Sequence, residues 1–135
     1  VGYRSFVRES DLGFTVLDTL VNLETRQVTY EATLDLLQRH PDLRGIYIAG
    51  GGMEGAIAAV REVHSTPKVA LIVNELTAES RAGLIDGYVT MVISTPLKEL
   101  CRTLIDQMIQ ATIEADDGVS GQMFLEPRIV LPESF

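Results

Sequence analysis

One cysteine and two histidines are all that this sequence offers as thiol or imidazole ligands. Cys101 has no partner for an internal disulfide, and alone it cannot build a cysteine metal cluster. His40 precedes Pro41 at one helix end and His64 stands beside Ser65 at another, so both read as solvent-facing residues. No metal site is expected. Basic residues are sparse as well: 11 Lys and Arg, scattered and never four in a row, stand against 19 Asp and Glu. The formal net charge is -8 and the pI is about 4.6. A nucleic-acid backbone is gripped by clustered cations, so this balance argues against DNA or RNA binding by the chain itself.

Long apolar runs are also missing. No stretch approaches the roughly 20 residues of a membrane-spanning helix. The opening VGYRSFVRESD is charged and amphipathic, without the basic-then-apolar layout of a secretory signal. It lacks a starting Met, and the chain reads as beginning inside a helix, a piece of something longer. There is no G-x-S-x-G, no Cys–His pair and no G-x-x-x-x-G-K-[ST]. No second acid stands at a spacing that pairs with Glu75, so general acid–base catalysis is not indicated. No enzyme activity and no cofactor are expected.

What is present is material for one core. The 135 residues are 46% hydrophobic, one domain's worth, and not a disordered composition. The pattern alternates strand with helix. Phe14 to Val21 (FTVLDTLV) is rich in β-branched and apolar residues and reads as a strand. Thr25 is a candidate N-cap for a helix whose apolar face is Tyr30, Thr33, Leu34 and Leu37, ended by Pro41. Ile46 to Ala49 is a short buried-type strand. The following helix presents Ala56, Ala59, Val60 and Val63. Lys68 to Val73 (KVALIV) is a continuous apolar strand of the kind covered on both faces. Thr77 caps a short helix and Gly87 supplies its left-handed stop.

Val89 to Ile93 is a fourth strand. Pro96 suits the first turn of a long helix. Its broad stripe is Leu97, Leu100, Cys101, Leu104, Ile105, Met108, Ile109 and Ile113. Cys101 lies within that stripe and reads as core rather than nucleophile. Asp117 and Gly118 end the helix. A last strand near Phe124 to Leu131 contains Pro127, which donates no ladder hydrogen bond, so it is expected at an edge or as a crossing segment. The sum is an α/β fold, a parallel β-sheet with helices on both faces. Ligands of such sheets bind beyond the carboxyl ends of the strands. The residues there are Asn22 and Leu23, Gly50 to Met53, Asn74 and Glu75, and Ser94 and Thr95.

The stretch IYIAGGGMEGAIAAV holds the one sharp motif. Gly50 to Gly55 satisfies G-x-G-x-x-G, and Glu75 follows 20 residues after Gly55, where a dinucleotide site keeps its ribose acid. Two facts oppose a dinucleotide. The turn follows the second βα unit rather than the first, and about sixty residues after Glu75 are too few for the rest of such an enzyme. The alternatives are a backbone contact to some other ligand, or a tight turn that only packs helix on strand. Glu75 divides similarly. It closes a buried strand facing the crevice, where a carboxylate accepts from ligand hydroxyls, or it merely precedes the Thr77 cap and favours the helix dipole.

In order and spacing, these motifs resemble the C-terminal half of the effector-binding domain of LacI/GalR-type transcriptional regulators. GYRSFVRE is similar to the helix after the first lobe crossing. TYEATLDLLQRHPDLRGIYIAGGGMEGAIAAV resembles the helix, strand, ligand loop and helix that follow. KVALIVNELT is similar to the next strand with its cleft acid. DGYVTMVISTPLKELCRTLIDQMI resembles the crossing strand and its helix, and RIVLPESF the terminal strand and tail. The resemblance covers nearly the whole chain.

It implies one lobe of a two-lobed periplasmic-binding-protein-like fold. Residues 1–93 and 122–135 would form the C-terminal lobe, and the helix within 94–121 would pack on an N-terminal lobe. It implies a small effector, a sugar, held between lobes, with ligand contacts at Asn22, Gly50, Gly51, Gly52, Met53, Asn74, Glu75 and Thr95. Gly50 departs from the Asn or Asp that many relatives carry there, and an arginine expected near the first helix has no match before Gly2. The implied protein is a cytoplasmic homodimeric repressor whose operator DNA is held by a helix-turn-helix outside this chain, with no membrane partner. A periplasmic sugar-binding protein of a transporter is the alternative, and an NAD-dependent oxidoreductase a more distant one. The long helix stripe needs cover from another chain or lobe.

Overall fold

A computed structural model describes residues 2–10, 12–63, 68–113 and 122–135. The elements are α1 (Gly2–Glu9), α2 (Arg26–Arg39), β1 (Gly45–Ile48), α3 (Met53–Val63), β2 (Ala70–Asn74), α4 (Ala78–Ile85), β3 (Met91–Ser94), α5 (Leu97–Ile113) and β4 (Arg128–Val130). A 3-10 turn, Pro132–Ser134, closes the chain. The strands lie in the order β1-β2-β3-β4; the first three are parallel and β4 runs antiparallel at the edge. The fold is α/β, a mainly parallel sheet with helices.

Strand alternation sorts the sheet into two faces. Ile46, Leu71, Val73 and Val92 point into the core with Ala56, Ile57 and Val60 of α3 and Leu84 of α4. Removing each large side chain of this set from water stabilises the fold by about 1.5–3 kcal/mol. The opposite face carries Tyr47, Ile72, Met91, Ile93 and Ile129, which match one another in register. Tyr3 of α1 approaches this face, its ring centroid 6.5 Å from that of Tyr47.

The helix α2 is capped as its sequence predicts: the Thr25 hydroxyl accepts from the Val28 N–H at 3.3 Å. Its buried stripe, however, is Thr29, Thr33 and Leu37, while Tyr30 and Leu34 are only half-buried. The reason is the neighbour. The Gly- and Ala-rich side of α3 comes so close to α2 that threonines fit best. Their hydroxyls are satisfied within α2, Thr29 donating to the Thr25 carbonyl at 2.7 Å and Thr33 to the Thr29 carbonyl at 2.6 Å. Thr77 caps α4 with a reciprocal Ser80 contact, and Gly87 takes φ +75° just beyond it. Pro96 sits one residue earlier than expected: its carbonyl accepts the first helical bond, from Leu100, so it precedes the first turn of α5.

Phe14 to Val21 forms no strand. Apolar, β-branched content suggests one, but a strand needs a ladder partner and a covered face. None of its residues is buried, and Phe14 and Val21 are exposed. The other expected strands form at Gly45–Ile48, Ala70–Asn74 and Met91–Ser94. The last begins just after Pro127 and lies at the sheet edge, as proline requires. His64, Asp117 and Gly118 lie outside the described residues.

Candidate functional site

The carboxyl edge of the sheet is tied together by side chains. The Asn22 amide donates to the Gly51 carbonyl at 2.9 Å and to the Thr29 hydroxyl at 2.8 Å. Its oxygen accepts from the Glu24 N–H at 3.1 Å. The Asn74 amide donates to the Ala49 carbonyl at 2.8 Å and accepts from the Tyr47 phenol at 3.2 Å. The Thr95 hydroxyl donates to one Glu75 carboxylate oxygen at 2.5 Å, and the Thr95 N–H to the other at 3.3 Å. Asn22, the glycine turn, Asn74, Glu75 and Thr95 therefore lie along one edge, as the alternating pattern requires.

The edge also collects backbone strain. Among the described residues, Leu23, Glu24 and Glu75 are the non-glycine residues with positive φ, at 51°, 54° and 66°. Such conformations cost about 1–3 kcal/mol each and survive where the surroundings overdetermine them. Glu75 is held on every side. Its N–H donates to the Ile93 carbonyl at 2.9 Å, and its own carbonyl accepts from the Ser80 hydroxyl at 2.9 Å. The carboxylate is thereby aimed at the start of the segment leading into α5.

The glycine turn has a mechanical explanation. A Cβ on Gly55 would lie 2.1 Å from the Arg26 carbonyl oxygen and 2.7 Å from the Tyr30 nitrogen, both backbone of α2. Gly52 has φ +86°, and a Cβ there would stand 2.2 Å from the Thr29 hydroxyl. The glycines let α3 seat against the start of α2. Gly50 is different: a Cβ would meet only the Glu24 side chain, 2.7 Å from a carboxylate oxygen. Glu24 thus lies over the turn, exposed, and its carboxylate has no hydrogen bond or ion pair among the described residues.

The family model for the periplasmic binding protein domain matches residues 2–115. The chain belongs to that family. Solved structures of sugar- and solute-binding proteins agree in fold. GanP, a glucose-galactose binding protein from Geobacillus stearothermophilus, is 19% identical with a TM-score of 0.82, covering 98% of this chain and 46% of that one. A solute binding protein of an ABC transporter from Agrobacterium vitis, with bound D-fucose, is 14% identical with a TM-score of 0.78, covering 98% and 47%. A third, from Actinobacillus succinogenes with bound D-allose, is 17% identical with a TM-score of 0.77, covering 98% and 45%. The chain therefore spans slightly under half the length of these structures. No curated protein matches it.

Within the periplasmic-binding-protein frame, the expected site residues sort by placement. Gly50, Gly51, Asn74, Glu75 and Thr95 lie at the carboxyl edge, and Asn22 spends its amide bracing the glycine turn. Gly52 is buried behind that turn. Met53 does not face the crevice: it is buried in the hydrophobic core, because the first residue of α3 turns inward. Glu24 escaped the sequence reading. It lies two residues beyond Asn22 and next to the Thr25 cap, and no spacing rule places a loop residue over a turn that is distant in sequence. A separate open groove of about 400 Å³, lined by Pro96, Glu99 and residues 124–128, shares none of these residues.

Proposed function

We propose that this chain forms one wall of a sugar-binding cleft and that the intact protein is a LacI-type transcriptional regulator. The observation that carries the sugar reading is the braced carboxyl edge. It holds the Glu75 carboxylate and the Asn74 amide at the sheet end, with the Glu24 carboxylate over the glycine turn, in a family whose solved neighbours include proteins with bound D-fucose and D-allose. Carboxylates and amides at a sheet end suit hydroxyl-rich ligands, because each sugar hydroxyl needs an acceptor to replace water. The reading as a regulator rests on the order of motifs from GYRSFVRE to RIVLPESF. In it the effector changes lobe closure in a cytoplasmic homodimer, and a helix-turn-helix elsewhere in the protein holds the operator.

The second reading, a solute-binding protein serving a transporter, is favoured by the solved neighbours, two of which are described as ABC transporter solute binding proteins. Calorimetry of the intact protein against aldohexoses and NAD tests the site. Saturable NAD binding without any response to sugar would overturn the sugar reading. Operator release measured with and without the bound sugar separates regulator from transporter component: a sugar that binds tightly yet leaves DNA binding absent or unchanged favours the transporter.

A further inference from the structure

We propose that Glu24 contacts the ligand and sets its class, filling the side-chain space that Gly50 leaves open; this rests on the sugar-binding reading above. The Gly50 Cβ direction points into the Glu24 carboxylate, 2.7 Å from its oxygen, and the Glu24 Cβ packs 3.0 Å from the corresponding point on Gly51. The side chain is thus laid across the glycine turn, with its outer side exposed. Its backbone holds φ 54° with its N–H bonded to Asn22, the residue that also grips Gly51. That frame fixes where the side chain leaves the backbone.

The two acids of the edge then differ in kind. Both Glu75 oxygens are engaged by Thr95, whereas the Glu24 carboxylate has no partner among the described residues. An ionised carboxylate only accepts hydrogen bonds, with room for several donors. A ligand entering beside Gly50 therefore meets a negative, acceptor-only group. The matching chemistry is a neutral or amino sugar that offers hydroxyl or ammonium donors. A sugar acid or sugar phosphate would place like charge against it.

Calorimetry on the intact protein tests this, using D-glucose, D-galactose and D-allose, with D-glucuronate and glucose 6-phosphate as anionic counterparts. The expected result is that an aldohexose binds more tightly than either anion. Loss of a charge-assisted contact in E24Q should weaken that binding by about tenfold, and narrow the preference for neutral sugar. G50A reaches the same group from the other side. Its Cβ would push the flexible Glu24 terminus aside without touching backbone, so affinity should fall again while the melting temperature holds. E24Q/G50A should lose no more than the worse single variant, because both act through one carboxylate. If the parent binds an aldohexose and E24Q stays within about twofold of it, this inference fails and the sugar reading stands. If the parent binds none of the aldohexoses, the sugar reading fails and takes this inference with it.

Discussion

Gly55 and Gly50 belong to one motif and tolerate opposite things. At Gly55 an added Cβ meets α2 backbone at 2.1 Å, which cannot move without parting the two helices. G55A should destabilise the fold by at least about 1–3 kcal/mol, the usual cost of overpacking, seen as a lower urea midpoint. G50A meets only the end of a glutamate and should change the stability by no more than about 0.5 kcal/mol, leaving that midpoint nearly unmoved. Equal midpoints for the two variants would show that helix packing does not depend on Gly55. Thr95 is the other decisive residue. T95V keeps the shape and the N–H but removes the hydroxyl that donates to Glu75 at 2.5 Å. A half-buried carboxylate losing that donor should cost about 1–2 kcal/mol, read from the same denaturation curves, and an unchanged midpoint would deny the bridge its structural role.

At the scale of elements, α2 and α3 pack more closely than a helix pair with large side chains could, and the small residues of both make it so. Tyr30 fastens this pair at its rim, its phenol donating to the Glu62 carboxylate. That hydrogen bond, with lesser help from desolvation and the Glu62 charge, raises the phenol above its ordinary value of 10.0. Below pH 10 the folded and unfolded chains both keep the proton, and the contact contributes in full. As pH rises past that value the unfolded chain ionises first, so the contribution fades, and it is gone once the folded phenol ionises too. An ultraviolet titration of parent against Y30F should show one late-ionising phenol missing from the variant. If all phenols of the parent ionise together near their ordinary value, the contact is absent in solution.

At the scale of the whole molecule, the described residues leave the long helix α5 without cover. No residue of α5 is buried, and Leu97, Leu104, Ile105 and Met108 are each more than half exposed. The stripe is too broad and too apolar for a solvent-facing helix. We expect the isolated chain to self-associate and bind a hydrophobic dye, and Leu104→Lys with Met108→Lys to return it to a monomer with less dye bound. Sedimentation of the unmodified chain as a clean monomer with low dye binding would count against this. We propose that in the intact protein this stripe packs on a second lobe.

Several features were legible in the sequence because they depend on neighbours along the chain. The caps at Thr25 and Thr77, the stop at Gly87 and the edge position enforced by Pro127 are local consequences of hydroxyl, glycine and proline chemistry. The alternation of apolar strands with helices likewise placed Gly50, Asn74, Glu75 and Thr95 at one sheet edge. Contacts between distant segments decided the rest. Phe14 to Val21 has a strand's composition but no ladder partner. Met53 stands among the edge residues yet turns into the core. The letters G-x-G-x-x-G fit a dinucleotide turn, but Gly52 and Gly55 are small because α2 fills the space beside them. Glu24 came over Gly50 only when the two loops met. Periodicity records which side of an element is apolar; which neighbour arrives on that side, and how close, is settled only by packing in three dimensions.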